Sequence, residues 1–185
     1  MSRKEHLHLE GIQKIVNIRA ELNLGLSAEL KDSFPDTIPV PRPLFQFKGI
    51  PDPHWLAGFV DAEGCFRVNT SKSLAHKLGM QSWLVFKITQ HFRDVKLLDS
   101  IKEYFACGSI YLDSNVGDFV VTKFSDIEGK ILPFFRDYPL QGVKALDLED
   151  FKKIVDIMRV KGHRNLEGLE ELLEIKGGMN RGRNQ

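Results

Sequence analysis

The stretch WLAGFVDAEGCF, residues 55–66, constrains the chain more than any other. It predicts one helix running directly into one strand. Asp52 is a favourable N-cap and Pro53 suits the first helical position. Trp55, Leu56, Phe59 and Val60 put apolar side chains at helical spacing, while Gly58 and Ala62 lie four apart on one face. Small residues at that spacing let a second backbone approach closely, a steric effect best described for membrane helices. Gly64 is predicted to close the helix in a left-handed cap, and CFRVN, from Cys65, begins to alternate as a strand does.

The same helix carries Asp61 and Glu63 in its last turn. The partial negative charge of a helix C-terminus disfavours carboxylates there by roughly 0.3–1 kcal/mol, and a bound divalent cation would reverse that sign. Solvated acids on a surface helix are the plainer alternative. The close-packing face, the acid and the glycine stop occur together, however, and the nine residues LAGFVDAEG resemble the signature of the LAGLIDADG homing endonucleases. Phe59 and Val60 are apolar replacements within that signature, and Glu63 exchanges one acid for another.

Composition sets outer limits. A chain of 185 residues holds one domain of ordinary size plus extensions. It contains no apolar run long enough to span a bilayer. The opening MSRKEHLHLEG lacks the apolar stretch of a signal peptide and carries acids that a transit peptide avoids, so a protein at work in an organelle would be made there or targeted otherwise. Cys65 and Cys107 form neither a disulfide framework nor a zinc pattern, which points to a reducing compartment. The net charge of +1 is low for a nucleic-acid-binding domain, so any DNA contact has to come from local placement of Lys and Arg.

The chain also repeats itself. HLHLEGIQKIVNIRAELNLG, from His6, returns as HRNLEGLEELLEIKGGMNRG, from His163. His6, Leu9, Glu10, Gly11, Ile18, Asn23 and Gly25 recur as His163, Leu166, Glu167, Gly168, Ile175, Asn180 and Gly182. Each copy reads as a helix with apolar positions three or four apart. Family members often carry two similar halves, and here the closing helix of a half stands at the N-terminus without the half that would precede it. The organisation expected is a helical tail over 1–33, a proline-rich linker over 34–52 and one half-domain over 53–185. A short helix is expected from Ser27, and Pro39, Pro41, Pro43, Pro51 and Pro53 favour an extended spacer.

Beyond the signature helix, strands are predicted over 65–72 and 81–91, a helix over 93–106, and a hairpin of strands 107–113 and 118–124 turning at Asn115 and Gly117. A helix capped by Ser125, with Glu128 as capping-box partner, should end or kink at Pro133. YPLQGVKAL reads as a connector, a long helix starts at Asp147 or Leu148 and stops at Gly162, and GGMNRGRNQ reads as a loose basic tail. The fold class is α+β, in the order αββαββα: a four-stranded antiparallel sheet with helices on one face. This is the order of the half-domain in the resembled family.

Such a sheet exposes its other face. Alternation assigns Phe66, Val68, Leu84, Phe86, Ile88, Ile110, Leu112, Phe119 and Val121 to the helices. It leaves Arg67, Asn69 and Ser71 outward on the first strand and Gln81, Trp83, Lys87 and Thr89 on the second. Ser109, Tyr111 and Asp113 face outward on the third strand, and Asp118 and Thr122 on the fourth. These groups suit the reading of base edges in a major groove. In the resembled family this surface lies on double-stranded DNA, which makes these positions expected contacts.

The resemblance also implies chemistry. It makes Glu63 a ligand of a divalent metal, Mg²⁺, whose preference for carboxylate oxygen and retained water fits such a position. It makes Gln90 a group that orients water and Lys144 a cation that stabilises developing charge. Asp61 is expected to support the helix end, and His91 is a general-base candidate of low rank. One signature helix supplies one carboxylate, so a second such helix is implied, from a homodimer or a complementary half, packing on Trp55, Leu56, Gly58, Phe59 and Ala62. The expected function is that of a site-specific DNA endonuclease subunit. The alternatives are an RNA-binding intron maturase and a DNA-binding half-domain without cleavage. A mitochondrial, organelle-encoded origin follows from the resemblance alone.

Overall fold

In the computed structural model the described residues are 4–22, 24–42 and 48–183. The chain divides into two compact units, Met1–Gln46 and Phe47–Gln185. Asn23, Pro43 and the ends of the chain lie outside the described residues. Among the described residues no helix is long and apolar enough to cross a membrane.

The first unit holds helices α1 (Leu9–Arg19) and α2 (Ala28–Ser33), the latter capped by Ser27 Oγ, which accepts from Leu30 N at 3.3 Å. Before α1, Lys4 adopts a left-handed conformation and Glu5–Leu7 forms a 3₁₀ turn. A side chain on Gly11 would run into the Glu5 carbonyl, 1.8 Å away, so only glycine lets the turn fold onto the helix.

The second unit opens with helix α3 (Pro53–Glu63), with Asp52 Oδ1 accepting from His54 N at 2.7 Å and Trp55 N at 3.4 Å. Strands β1 (Gly64–Lys72) and β2 (Met80–His91) follow, then α4 (Val95–Phe105) and the hairpin of β3 (Ser109–Asp113) and β4 (Val116–Val121). The sheet is antiparallel throughout, in the order β1-β2-β4-β3, with Gly64 opposite Ile88 and Thr89 opposite Asp118. Helices α5 (Phe124–Asp126), α6 (Leu132–Asp137), α7 (Lys144–Arg159) and α8 (Leu166–Gly177) complete the chain. One core joins the helices to one sheet face through the fully buried Phe66, Phe86, Phe119, Phe135 and Phe151, and Phe66 stacks on Phe86 at 5.1 Å. The α+β arrangement expected from the sequence is the one observed.

Several local expectations are corrected. Gly64 is extended (φ −77°, ψ 161°), not left-handed, and is already the first residue of β1. A methyl group there would sit 2.5 Å from Val60 Cγ1 and 2.7 Å from the Val60 carbonyl oxygen, so glycine serves close packing of helix on strand. The hairpin turns at Ser114 and Asn115, while Gly117 lies inside β4 beneath Leu98, 2.9 Å from where its Cβ would stand. Strand β4 ends at Val121, which puts Thr122 beyond the sheet. Leu112, assigned to the core by alternation, is 64% exposed at the far end of an edge strand.

Ser125 caps nothing. Helix α5 begins at Phe124 and passes through a π turn, Ile127–Ile131, into α6. There Leu132 N donates five residues back to Ile127 O, and Pro133, which has no N–H to give, follows at the start of α6. Glu128 instead accepts from Arg159 Nε at 2.5 Å. Helix α7 starts at Lys144, earlier than expected, because Gly142 and Val143 carbonyls accept from Ala145 and Leu146 at 3.0 Å each and wind the connector straight into the helix. Lys161, not Gly162, takes the left-handed position after α7.

The repeat is a repeat of structure. Lys161 is left-handed as Lys4 is, Gly162–Arg164 is a 3₁₀ turn as Glu5–Leu7 is, and α8 starts where α1 does in its own copy. Gly168 presses on the Gly162 carbonyl as Gly11 presses on Glu5, and both His6 and His163 bury an Nδ1 without a partner. The residues after α8 are not a loose tail. Met179 is buried and Asn180 Nδ2 donates to Phe66 O at 3.0 Å, while Lys176, in the last turn of α8, donates its Nζ to Thr70 Oγ1 at 2.6 Å. These contacts cover the outer edge of β1, where an unpaired strand would otherwise invite another.

Candidate functional site

Helix α3 divides its residues between two environments. Leu56, Ala57 and Val60 are buried in the core of the unit, Leu56 fully so. Leu56 therefore cannot meet a second helix, contrary to expectation. The opposite face presents Trp55, Gly58, Phe59 and Ala62: Trp55 is 40% exposed and stacks on Phe59 at 5.2 Å, and the space beyond Gly58 is open. These positions follow the three-to-four spacing of one helical stripe. Val143, 67% exposed, lies on the same groove as Gly58 and Ala62, and neighbouring Leu146 is exposed as well. Sequence periodicity could not have found these two, since they precede or start a helix that was expected to begin later.

That groove, of about 1340 Å³, runs from the end of α3 along β1 to the segment after α8, and Lys144, Arg67, Asn69, Lys176 and Arg183 line it. Glu63 stands between two of its lining residues, Ala62 and Gly64, but is itself exposed outside the lining. Gln90 lies two residues beyond Ile88, the partner of Gly64, so β2 carries it past the junction of α3 and β1. The alternation that buries Leu84, Phe86 and Ile88 gives Gln90 the same side of the strand, opposite Gly117. The fold thus gathers Lys144 with the end of α3, leaves Glu63 free beside them, and sets Gln90 at the neighbouring strand end. His91 accepts from Arg93 N at 3.3 Å and turns the chain after β2.

The two carboxylates of α3 part company. Asp61 Oδ2 accepts from Gln141 N at 3.0 Å and Gly142 N at 2.6 Å. It supports the start of α7 and not the end of its own helix. Glu63 is exposed, with no ion-pair or hydrogen-bond partner among the described residues. No group of three or more His, Cys, Asp or Glu that could hold a metal occurs among the described residues. A Mg²⁺-like ion commonly uses only one or two protein carboxylates and fills its shell with water and substrate phosphate, so a lone, unengaged Glu63 fits such an ion.

The start of α7 is held from a second side. Asp147, largely buried, accepts from Asn180 N at 2.9 Å and from Arg183 Nη2 at 3.0 Å, and the same guanidinium reaches Asp150 at 2.6 Å. Partial burial raises the Asp150 pKa, but hydrogen bonds from Lys153 and Arg183 outweigh it and hold the carboxyl below its usual range. Arg183 gave no sequence signal; Asn180 did, as a recurring position of the repeat.

On the open sheet face Arg67, Ser71, Gln81, Ser109, Tyr111 and Asp113 are exposed, and Asn69 and Trp83 are half-buried as cross-strand partners. Lys87, Thr89 and Asp118 are engaged with one another: Asp118 accepts from Lys87 Nζ at 2.8 Å and from Thr89 Oγ1 at 2.5 Å. Burial pushes the Asp118 pKa up, yet the two hydrogen bonds and the charges of Lys87 and Arg67 bring it below the ordinary carboxylate value.

A family model described as LAGLIDADG endonuclease matches residues 56–155. The "Probable intron-encoded endonuclease 3" of Neurospora crassa is 38% identical over 180 residues, covering 96% of this chain and 34% of that relative. Among solved structures, the I-SmaMI LAGLIDADG homing endonuclease bound to cleaved DNA superposes with a TM-score of 0.96 at 50% identity, over 100% of this chain and 62% of its own. The I-LtrWI LAGLIDADG homing endonuclease bound to target DNA gives 0.94 at 46% identity, over 99% of this chain and 62% of its own. The chain thus spans about a third of the curated relative and under two thirds of either structure.

Proposed function

Because the chain belongs to the LAGLIDADG endonuclease family, we propose that it is one half of a site-specific, divalent-metal-dependent endonuclease acting on double-stranded DNA. The observation that carries this reading is the exposed, unengaged Glu63 at the foot of the uncovered Trp55, Gly58, Phe59 and Ala62 face. The polar sheet face beside it supplies a surface for DNA, which the two DNA-bound structural neighbours support.

In this reading Glu63 holds a divalent ion, Mg²⁺ by its oxygen preference. When bound, the ion polarises the scissile phosphate and lowers the pKa of an attacking water. Gln90 orients that water for in-line attack, and Lys144 neutralises charge on the departing oxygen as the P–O bond breaks. Arg67, Asn69, Ser71, Gln81, Trp83, Ser109, Tyr111 and Asp113 contact the duplex. Lys87 and Thr89 reach it from an arrangement set by Asp118, and Thr122 touches it from outside the sheet.

A second signature helix completes the site by bringing a second carboxylate. The partner is a complementary half, in the same polypeptide or a separate one, more than a second copy of this chain. The first unit supports that preference, since α1 and its preceding turn reproduce α8 and its preceding turn. An intron-encoded origin accords with the Neurospora crassa relative, and a mitochondrial one is part of the same proposal. The test is cleavage of a plasmid target library by the chain with its complementary half in Mg²⁺. The wild type is expected to linearise a subset of targets and Glu63→Gln to leave them nicked or intact. Equal cleavage by Glu63→Gln would sink the proposal.

A further inference from the structure

Asp61 lies two residues before Glu63, and the amides it binds lie two and three residues before Lys144. One carboxylate oxygen therefore joins the end of α3 to the start of α7 across 80 residues of sequence. The contact is built from both sides. A side chain on Gly142 would stand 2.8 Å from Asp61 Oδ1 and 3.0 Å from Oδ2, so only glycine admits the carboxylate. The Gly142 carbonyl in turn accepts from Ala145 N in the first turn of α7. Val143, at the N-cap position of α7, makes no side-chain capping bond, so the Asp61 carboxylate joins Asp147 of the first turn as an anion at that positive helix end.

From this geometry we propose that Asp61 is a positioning residue: it sets the spacing between Glu63 and Lys144, and so governs the rate of strand cleavage and not the affinity for DNA. The inference rests on the endonuclease reading above. The bond cannot be a mere helix stop, because neither amide belongs to α3. Nor is it needed to keep α7 folded, since Asp147, Asn180 and Arg183 anchor the same helix independently.

The test combines exchange and kinetics on the full chain. In Asp61→Ala, the Gln141 and Gly142 amides should exchange at least about tenfold faster by NMR, as expected for donors released to water. With the complementary half and a library-selected target, the single-turnover rate should fall by about 100-fold, the order of loss a misplacement of roughly 1 Å produces. The dissociation constant for DNA in Ca²⁺ should change by less than about threefold, within the scatter of a surface substitution. Asp61→Asn keeps a carbonyl oxygen for both amides and should recover most of the rate. Gly142→Ala, which retains the carboxylate but crowds it away from its two amides, should reproduce the loss. In a Lys144→Ala background, Asp61→Ala should cost nothing further. Additive losses there would overturn the inference, as would unchanged exchange at Gln141 and Gly142. Failure of the endonuclease reading itself looks different: Glu63→Gln would then cleave as well as the wild type.

Discussion

Replacing Gly58 by alanine should act in opposite directions on the isolated chain and on its association with a second half. In the isolated chain a methyl group at Gly58 meets nothing within 4 Å, so it brings no steric cost. It does remove a glycine from the middle of α3, where alanine is favoured by roughly 0.8–1.0 kcal/mol. For a chain of this size that corresponds to a melting temperature higher by about 2–4 °C. At a helix–helix contact the same methyl holds two backbones apart. Overpacking of that kind costs about 1–3 kcal/mol, or about 5- to 150-fold in association. Thermal denaturation of the chain alone reads the first effect, and sedimentation equilibrium with the complementary half reads the second. Gly58→Leu should exaggerate the loss of association. If Gly58→Leu associates as tightly as the wild type, the uncovered α3 face is not where the second half packs. If Gly58→Ala melts lower than the wild type, the face is not free in the single chain.

Two further substitutions test the framework around the site. Gly64→Ala should destabilise the chain by about 1–3 kcal/mol, because its methyl group would have to displace Val60 from 2.5 Å in a core with no room; urea unfolding measures it. Asp118→Asn should cost less than about 1 kcal/mol at pH 7, since its ion pair with Lys87 leaves the side chains 26% and 29% exposed. The folded-state pKa of Asp118 is depressed, so the stabilisation is present above the unfolded carboxyl value and lost as pH falls through the folded one. Urea midpoints of wild type and Asp118→Asn should therefore differ by a constant amount at pH values above the unfolded carboxyl range and converge as pH falls through the depressed folded-state value.

The sequence made the layer order legible because its periodicities were strong. Phe66, Phe86 and Phe119, each beside a charged residue (Arg67, Lys87 and Asp118), are fully buried on one face. What it could not show was where alternation stops mattering. Leu112 obeys the alternation yet is exposed, because the helices do not reach the end of an edge strand. Glycines were legible as constraints but not as reasons: Gly64 and Gly117 both read as backbone-conformation residues, and both turn out to make room for a neighbour, Val60 in one case and Leu98 in the other. The segment after α8 looked like a loose basic tail because its partners, Phe66, Asp147 and Asp150, are far away in sequence. Long-range hydrogen bonds of that kind leave no local pattern.

The acid pair marks the same boundary within the candidate site. Two carboxylates separated by one residue look equivalent in sequence, and the resemblance alone nominated Glu63. In a helix of 3.6 residues per turn, positions two apart point about 200° from each other, so they cannot share an environment. Once Leu56 and Val60 turn one side of α3 into the core, Asp61 is directed at whatever packs beside the helix. That neighbour is a turn with two backbone amides to satisfy. Glu63 is directed away from it and stays unengaged. A carboxylate already accepting two amide hydrogens has less to offer a metal than one that accepts none. The division of labour between an anchoring acid and a free acid is therefore a consequence of helix geometry, and Asp61 and Glu63 could not exchange roles without rotating α3 in its seat.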